Sequence, residues 1–176
     1  MEIYYRKEVI DTLGVGYLFI DNCSLILISS YQKEFSNILS SLKDQGKVLV
    51  TIPSIAFEFS RTDNIQVYNT RRKFLEDYVS IYPIEKHLKG LSNALTITVQ
   101  KIAGNASYSD FLLYYCLYHF REAHLLTENH KDFKTAILDR ETVITIDTDK
   151  DIRNTALYSF SSTKYERFAA KILKEI

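Results

Sequence analysis

His124-Leu125-Leu126-Thr127-Glu128-Asn129-His130-Lys131-Asp132-Phe133 is an apolar run that breaks into a cluster of polar groups and then returns to an aromatic ring. It reads as a buried strand that empties into a site. Short apolar runs usually end in a simple turn. Here a hydroxyl, an amide and a carboxylate fall within six residues, at Thr127, Asn129 and Asp132. Each is an ordinary turn former when taken alone. Together they call for partners elsewhere in the chain.

Three acids stand in suitable surroundings. Asp21 closes the apolar run Tyr17-Leu18-Phe19-Ile20, Glu58 lies in Pro53-Ser54-Ile55-Ala56-Phe57-Glu58-Phe59, and Asp110 opens the helix-like Ser109-Asp110-Phe111-Leu112-Leu113. With the spacing Thr127-x-Asn129-x-x-Asp132-Phe133, these positions resemble the metal-dependent PIN-domain nucleases in order and local context, from about Gly16 to Asp147. The resemblance implies an α/β fold, three-layered α/β/α, with a central parallel sheet of about five strands. It also implies a Mg2+ or Mn2+ site built from Asp21, Glu58, Asp110 and Asp132, which would be the catalytic residues. Thr127 and Asn129 would hydrogen-bond within the site and hold those carboxylates in place. The implied substrate is single-stranded or structured RNA; an antitoxin protein and a second copy of the chain are the implied protein partners.

Composition sets wider bounds. At 176 residues the chain reads as a single domain: a core of about 16–147, an N-terminal extension 1–15 and a C-terminal amphipathic helix of about 163–175. Hydrophobic residues make up 46%, with only five Gly and two Pro, as in an ordered globular protein. Lys plus Arg equals Asp plus Glu at 22 each, so no global field holds nucleic acid and any grip on it must be local. Arg71, Arg72 and Lys73, with Arg61 nearby, are the densest basic group; Lys131 and Lys134 flank the central loop. Such groups serve either as solvated faces or as phosphate contacts. The 13 Tyr and 10 Phe include rings able to stack on unpaired bases, but the sequence does not place them at a cleft. Cys23 and Cys116 form no C-x-x-C pair, which fits a reducing cytoplasm, and no apolar signal or membrane-spanning run is expected.

Taken in order, residues 1–15 are mixed, a short strand or helix turn at a sheet edge. Tyr17–Ile20 is apolar on both faces, as central parallel strands are, and Val48–Ile52 is read as the second strand. Between them Leu25, Leu27, Ile28, Tyr31, Phe35, Ile38, Leu39 and Leu42 mark one or two helices, stopped at Gly46. Pro53 suits a helix's first turn. Arg71 falls inside the apolar stripe of the next helix, either covering core with its stem or aiming into a cleft. Residues 81–84 suit an edge strand, 85–104 favour a helix by length, and 107–120 form a helix apolar nearly all round. Thr142–Ile146 is read as the last strand, and Thr163-x-x-Glu166 as a capping box.

Ligands of open parallel sheets bind beyond the carboxyl ends of the strands. Four carboxylates gathered there raise one another's pKa unless a cation is present, and a hard oxygen-preferring divalent ion suits phosphodiester hydrolysis. Each acid also has a plain structural account: Asp21 a turn starter, Asp110 a charge in a helix's first turn, Glu58 a solvated helix residue, Asp132 a loop cap. Glu128 adds negative charge beside the site. The alternatives are a PIN-like binding module with weak or lost activity and a haloacid-dehalogenase-like phosphatase. The latter needs Asp-x-Asp, and position 23 is Cys. The four His lack zinc spacing, and no phosphate or dinucleotide loop is present.

Overall fold

The computed structural model describes residues 2–84, 92–148, 151–172 and 174. The elements run β1 (Glu2–Tyr4), α1 (Lys7–Ile10), β2 (Gly16–Ile20), α2 (Asn22–Ser30), α3 (Gln32–Asp44), β3 (Lys47–Thr51), α4 (Pro53–Ser60), α5 (Ile65–Tyr78), β4 (Ser80–Ile81), α6 (Asn93–Ile102), α7 (Tyr108–His119), β5 (His124–Thr127), β6 (Leu138–Asp147), β7 (Ile152–Phe160) and α8 (Ser162–Ile172). They form an α/β fold around one sheet of order β1-β6-β7-β5-β2-β3-β4.

Two halves of different character meet in that sheet. Strands β5, β2, β3 and β4 are parallel, joined by helices, whereas β7 pairs antiparallel with both β5 and β6, and β1 antiparallel with β6. The expected all-parallel sheet of about five strands is therefore corrected to a mixed sheet of seven. Thr142–Ile146 is not the last strand but the end of β6, which turns back into β7. The turn is held by Thr148, whose amide and hydroxyl both donate to the Asp151 carbonyl at 3.0 and 2.8 Å. Residues 152–160 gave no strand signal because polar Arg153, Asn154 and Thr155 open the run. Thr155 is nevertheless fully buried, satisfied at 3.1 Å by the Ser24 hydroxyl on α2.

Helices cover both faces. Leu18 and Ile20 of β2 pack with Ile10, Phe35 and Leu42 from α1 and α3, while Tyr17 and Phe19 turn to the other face and meet Phe120 at the end of α7, with ring centroids 5.0 and 6.3 Å apart. That alternation is why β2 reads as continuously apolar. The connection after β2 is two helices, broken at Tyr31, and Pro53 does open α4. The N-terminal extension supplies both a strand and a helix turn, and β4 is a two-residue edge strand. Helix α8 begins at Ser162, one residue ahead of the expected Thr163 cap, so Thr163 lies inside it. Residues 85–91 of the expected 85–104 helix and the last residues of the C-terminal helix lie outside the described residues.

At the amino end of the parallel strands a charged side chain is buried. Lys47 of β3, only 3% exposed, crosses over Gly16 of β2 to donate to the Glu122 carbonyl and meet His124 Nδ1, both at 3.1 Å. Gly16 is required there: its φ is +136°, and a Cβ would lie 2.9 Å from the Glu122 oxygen and 3.4 Å from the Lys47 nitrogen. Burial and the Lys47 charge lower His124 to about 4, so it is neutral and accepts the lysine's hydrogen bond.

Candidate functional site

At the opposite, carboxyl end of the same strands, Asp21 and Thr127 close β2 and β5, which are adjacent and parallel. Asp21 caps α2: its Oδ1 accepts from the Ser24 amide at 2.8 Å, the N-cap geometry expected of an Asp before a helix. Its Oδ2 accepts a hydrogen bond from the Thr127 hydroxyl. That hydroxyl accepts in turn from the Asn129 amide at 2.8 Å, and the Asn129 side-chain amide donates to Asp132 Oδ2 at 2.7 Å. A continuous relay thus runs Asp21, Thr127, Asn129, Asp132. The loop is pinned from below by Tyr114 of α7, which donates to the Asp132 carbonyl, accepts from the Lys134 amide, both at 2.8 Å, and stacks on Phe133 with ring centroids 5.1 Å apart.

Burial decides the electrostatics of Asp21. With 5% of its surface exposed, the carboxyl is pushed up to about 6 by desolvation, against the pull of the Thr127 and Ser24 hydrogen bonds. The neighbouring Asn22 carries a buried side-chain oxygen with no hydrogen-bond partner among the described residues.

Glu58 and Asp110 are joined through Ser109. The Ser109 hydroxyl bridges Ser54 Oγ at 2.9 Å and Glu58 Oε1 at 3.1 Å, tying the start of α7 to α4. Asp110 completes a capping box on α7, its Oδ2 accepting from the Ser107 amide and hydroxyl at 2.9 and 2.7 Å while its own amide donates to Ser107 Oγ. In Glu58, Asp110 and Asp132 alike one oxygen is held by neighbours, and the other has no protein partner among the described residues.

Cys23 reports how these groups converge. Partial burial, the charges of Asp21 and Glu128, and more weakly that of Asp110 push its thiol up to about 11, so it remains a neutral thiol. It lines a cleft of about 620 Å3 with Ile26, Glu128, Asn129, His130, Lys131 and Arg153. Glu128 does not stand as free negative charge: Arg153 of β7 grips it in bidentate fashion at 3.0 and 2.5 Å, with both side chains partly buried. His130 is held by the Tyr158 hydroxyl and the Asn154 carbonyl at 3.1 and 3.2 Å.

Of the basic residues singled out by sequence, Lys131 lines the cleft and is exposed. Arg71 donates to the Phe59 carbonyl at 2.8 Å and lies 5.3 Å over the Phe59 ring, clamping α5 to α4. Arg72 pairs with Glu76 one turn along α5, and Lys73 is exposed on the same helix. Sequence reasoning missed Ser109, Tyr114 and Arg153. Ser109 adjoins Asp110 and Tyr114 lies one turn further along α7, so a helix projection could have found both; Arg153 had no signal because its strand had none.

Among the described residues no three His, Cys, Asp or Glu side chains come close enough together to grip one ion. A closed all-protein cage is therefore not what these residues offer. The donor set is all oxygen, however, and magnesium is commonly held by one or two carboxylates while it keeps most of its waters. Asp21, buried and with its carboxyl pushed up by desolvation, is an oxygen donor of the kind such an ion takes. No helix among the described residues is long and apolar enough to cross a membrane. No family model matches the chain, and neither a curated protein nor a solved structure matches it significantly.

Proposed function

We propose that the chain is a Mg2+- or Mn2+-dependent endoribonuclease of the PIN type that hydrolyses single-stranded RNA. The observation that carries the reading is the relay from Asp21 through Thr127 and Asn129 to Asp132, spanning the carboxyl ends of two adjacent parallel strands around a buried carboxylate that desolvation holds well above its ordinary range. Perturbed titration in such a cluster is characteristic of sites that do chemistry.

Each group has a part. Thr127 and Ser24 orient the Asp21 carboxylate, and Asn129 holds Asp132 with its second oxygen open toward solvent, where it aligns the attacking water. Glu58 is steadied by Ser109 and carries a second open oxygen. A divalent ion, held chiefly by Asp21, would activate that water and offset charge on the phosphate. Lys131, exposed at the cleft, offers a local cation for the RNA backbone on a chain of zero net charge.

A second reading, a PIN-like binding module without turnover, is favoured by one observation: Asp110 spends an oxygen on its own helix cap. Cleavage of a mixed single-stranded RNA pool with magnesium or manganese, run beside Asp21→Asn, Asp110→Asn and a chelator control, separates the two. Metal-dependent cutting lost in both variants supports the nuclease. Cutting that persists equally in the variants assigns it to a contaminant, and intact RNA with either metal favours the binding module.

A further inference from the structure

We propose that Phe57 and Tyr108 form a stacking site for unpaired bases beside the candidate acids. The choice of ligand rests on the nuclease reading above. Singly exposed rings are ordinary on a protein surface. These two, at 69% and 62%, are the most exposed of all the Phe and Tyr side chains, and neither stacks on another ring among the described residues. Both adjoin the site: Phe57 precedes Glu58, and Tyr108 precedes Ser109 and Asp110.

The hydrogen bonds of Ser109 bring them together. Ser54, Phe57 and Glu58 lie three and four residues apart and share a face of α4. Ser109 contacts Ser54 and Glu58 on that face, and Tyr108 is one residue from Ser109, about 3.8 Å along the chain. The two exposed rings are thus each carried by the residue next to one member of the Glu58–Ser109 contact, on the two helices which that contact ties together. A chain with zero net charge has little electrostatic hold on nucleic acid, and rings supply a sequence-tolerant grip that charge does not. A strand stacked here would present its phosphates to the acids.

The test is fluorescence anisotropy of a labelled single-stranded oligoadenylate, an abasic strand of the same length and the matching DNA, all with chelator so that nothing is cut. The wild-type chain is compared with Phe57→Ala/Tyr108→Ala and with Phe57→Tyr/Tyr108→Phe. The alanine pair is expected to weaken oligoadenylate binding about tenfold or more, leave the abasic strand unaffected and leave thermal unfolding unchanged, while the aromatic pair retains binding. Equal loss of DNA and RNA binding assigns the site to bases generally; loss of RNA binding alone adds a ribose contact. Undiminished oligoadenylate binding in the alanine pair, an equal loss on the abasic strand, or a wild-type chain that does not prefer bases over abasic sugar would overturn the proposal. So would self-association of the wild-type chain in sedimentation that the alanine pair abolishes, because the rings would then be a protein interface. RNA binding that needs both rings but is never followed by cleavage with magnesium would remove the nuclease reading and leave the stacking site standing.

Discussion

The Thr127 hydroxyl donates to Asp21 across 106 positions of chain, and this bond fastens the end of β5 to the end of β2 at the point where both strands open into loops. The carboxylate it orients is buried enough to resist ionisation. Lys47 and His124 occupy the far end of the same strands with the opposite problem, a cation beside a base.

Those two ends predict opposing pH dependences. Asp21 titrates near 6 in the folded chain against an ordinary 3.8, so its stability contribution is fully present below pH 3.8 and is lost as the pH rises through 6, roughly 3 kcal/mol in all. His124 titrates near 4 against 6.5, so its contribution is fully present above pH 6.5 and is lost as the pH falls through 4, again roughly 3 kcal/mol. The wild-type chain should therefore look nearly flat between pH 4 and 6.5. Asp21→Asn should leave stability that climbs with pH over that window, and His124→Gln stability that falls. Urea unfolding of the three proteins at stepped pH would expose the two slopes, and identical slopes would place the titrations elsewhere.

Magnesium should offset the cost at Asp21. At about ten times its dissociation constant it is expected to raise the melting temperature of the wild-type chain by roughly 3 to 5 °C at pH 7.5. Asp21→Asn should start more stable than wild type without metal and show no such rise. An equal rise in both proteins would move the ion away from Asp21.

The Glu128–Arg153 pair fastens the site loop to β7. Replacing Arg153 by Met leaves a largely buried carboxylate unpaired, and should cost roughly 2 to 3 kcal/mol in chemical unfolding. The double variant Glu128→Gln/Arg153→Met should recover most of that loss. A single variant as stable as wild type would show that the loop holds itself.

Gly16→Ala is expected to be among the most damaging small substitutions in the chain. The added methyl meets the Glu122 carbonyl at 2.9 Å in a backbone conformation that disfavours any side chain. A loss of roughly 2 to 4 kcal/mol in denaturant unfolding, with Lys47 displaced from His124, is the outcome to look for.

The amino-acid sequence by itself determined the elements whose signal is local. Tyr17–Ile20 declared itself as a buried strand because a strand covered on both faces needs apolar residues at every position, and Val48–Ile52 and Ala123–Leu126 as short, mostly apolar runs. The helices declared themselves by period, and Asp21 and the Thr127–Asp132 loop by following such strands. Tertiary structure alone decided the rest. Strand β7 was hidden because its polar residues find their partners, Ser24 and Glu128, more than twenty positions away, and no window of sequence holds both members of such a pair. For the same reason Glu128 looked like free charge and Arg71 like a residue aimed either at core or at a cleft. A carboxylate's chemistry depends on what surrounds it in space. That is why the sequence could nominate Asp21, while only the packing of β2 against β5 could bury it and bring Thr127 to its side.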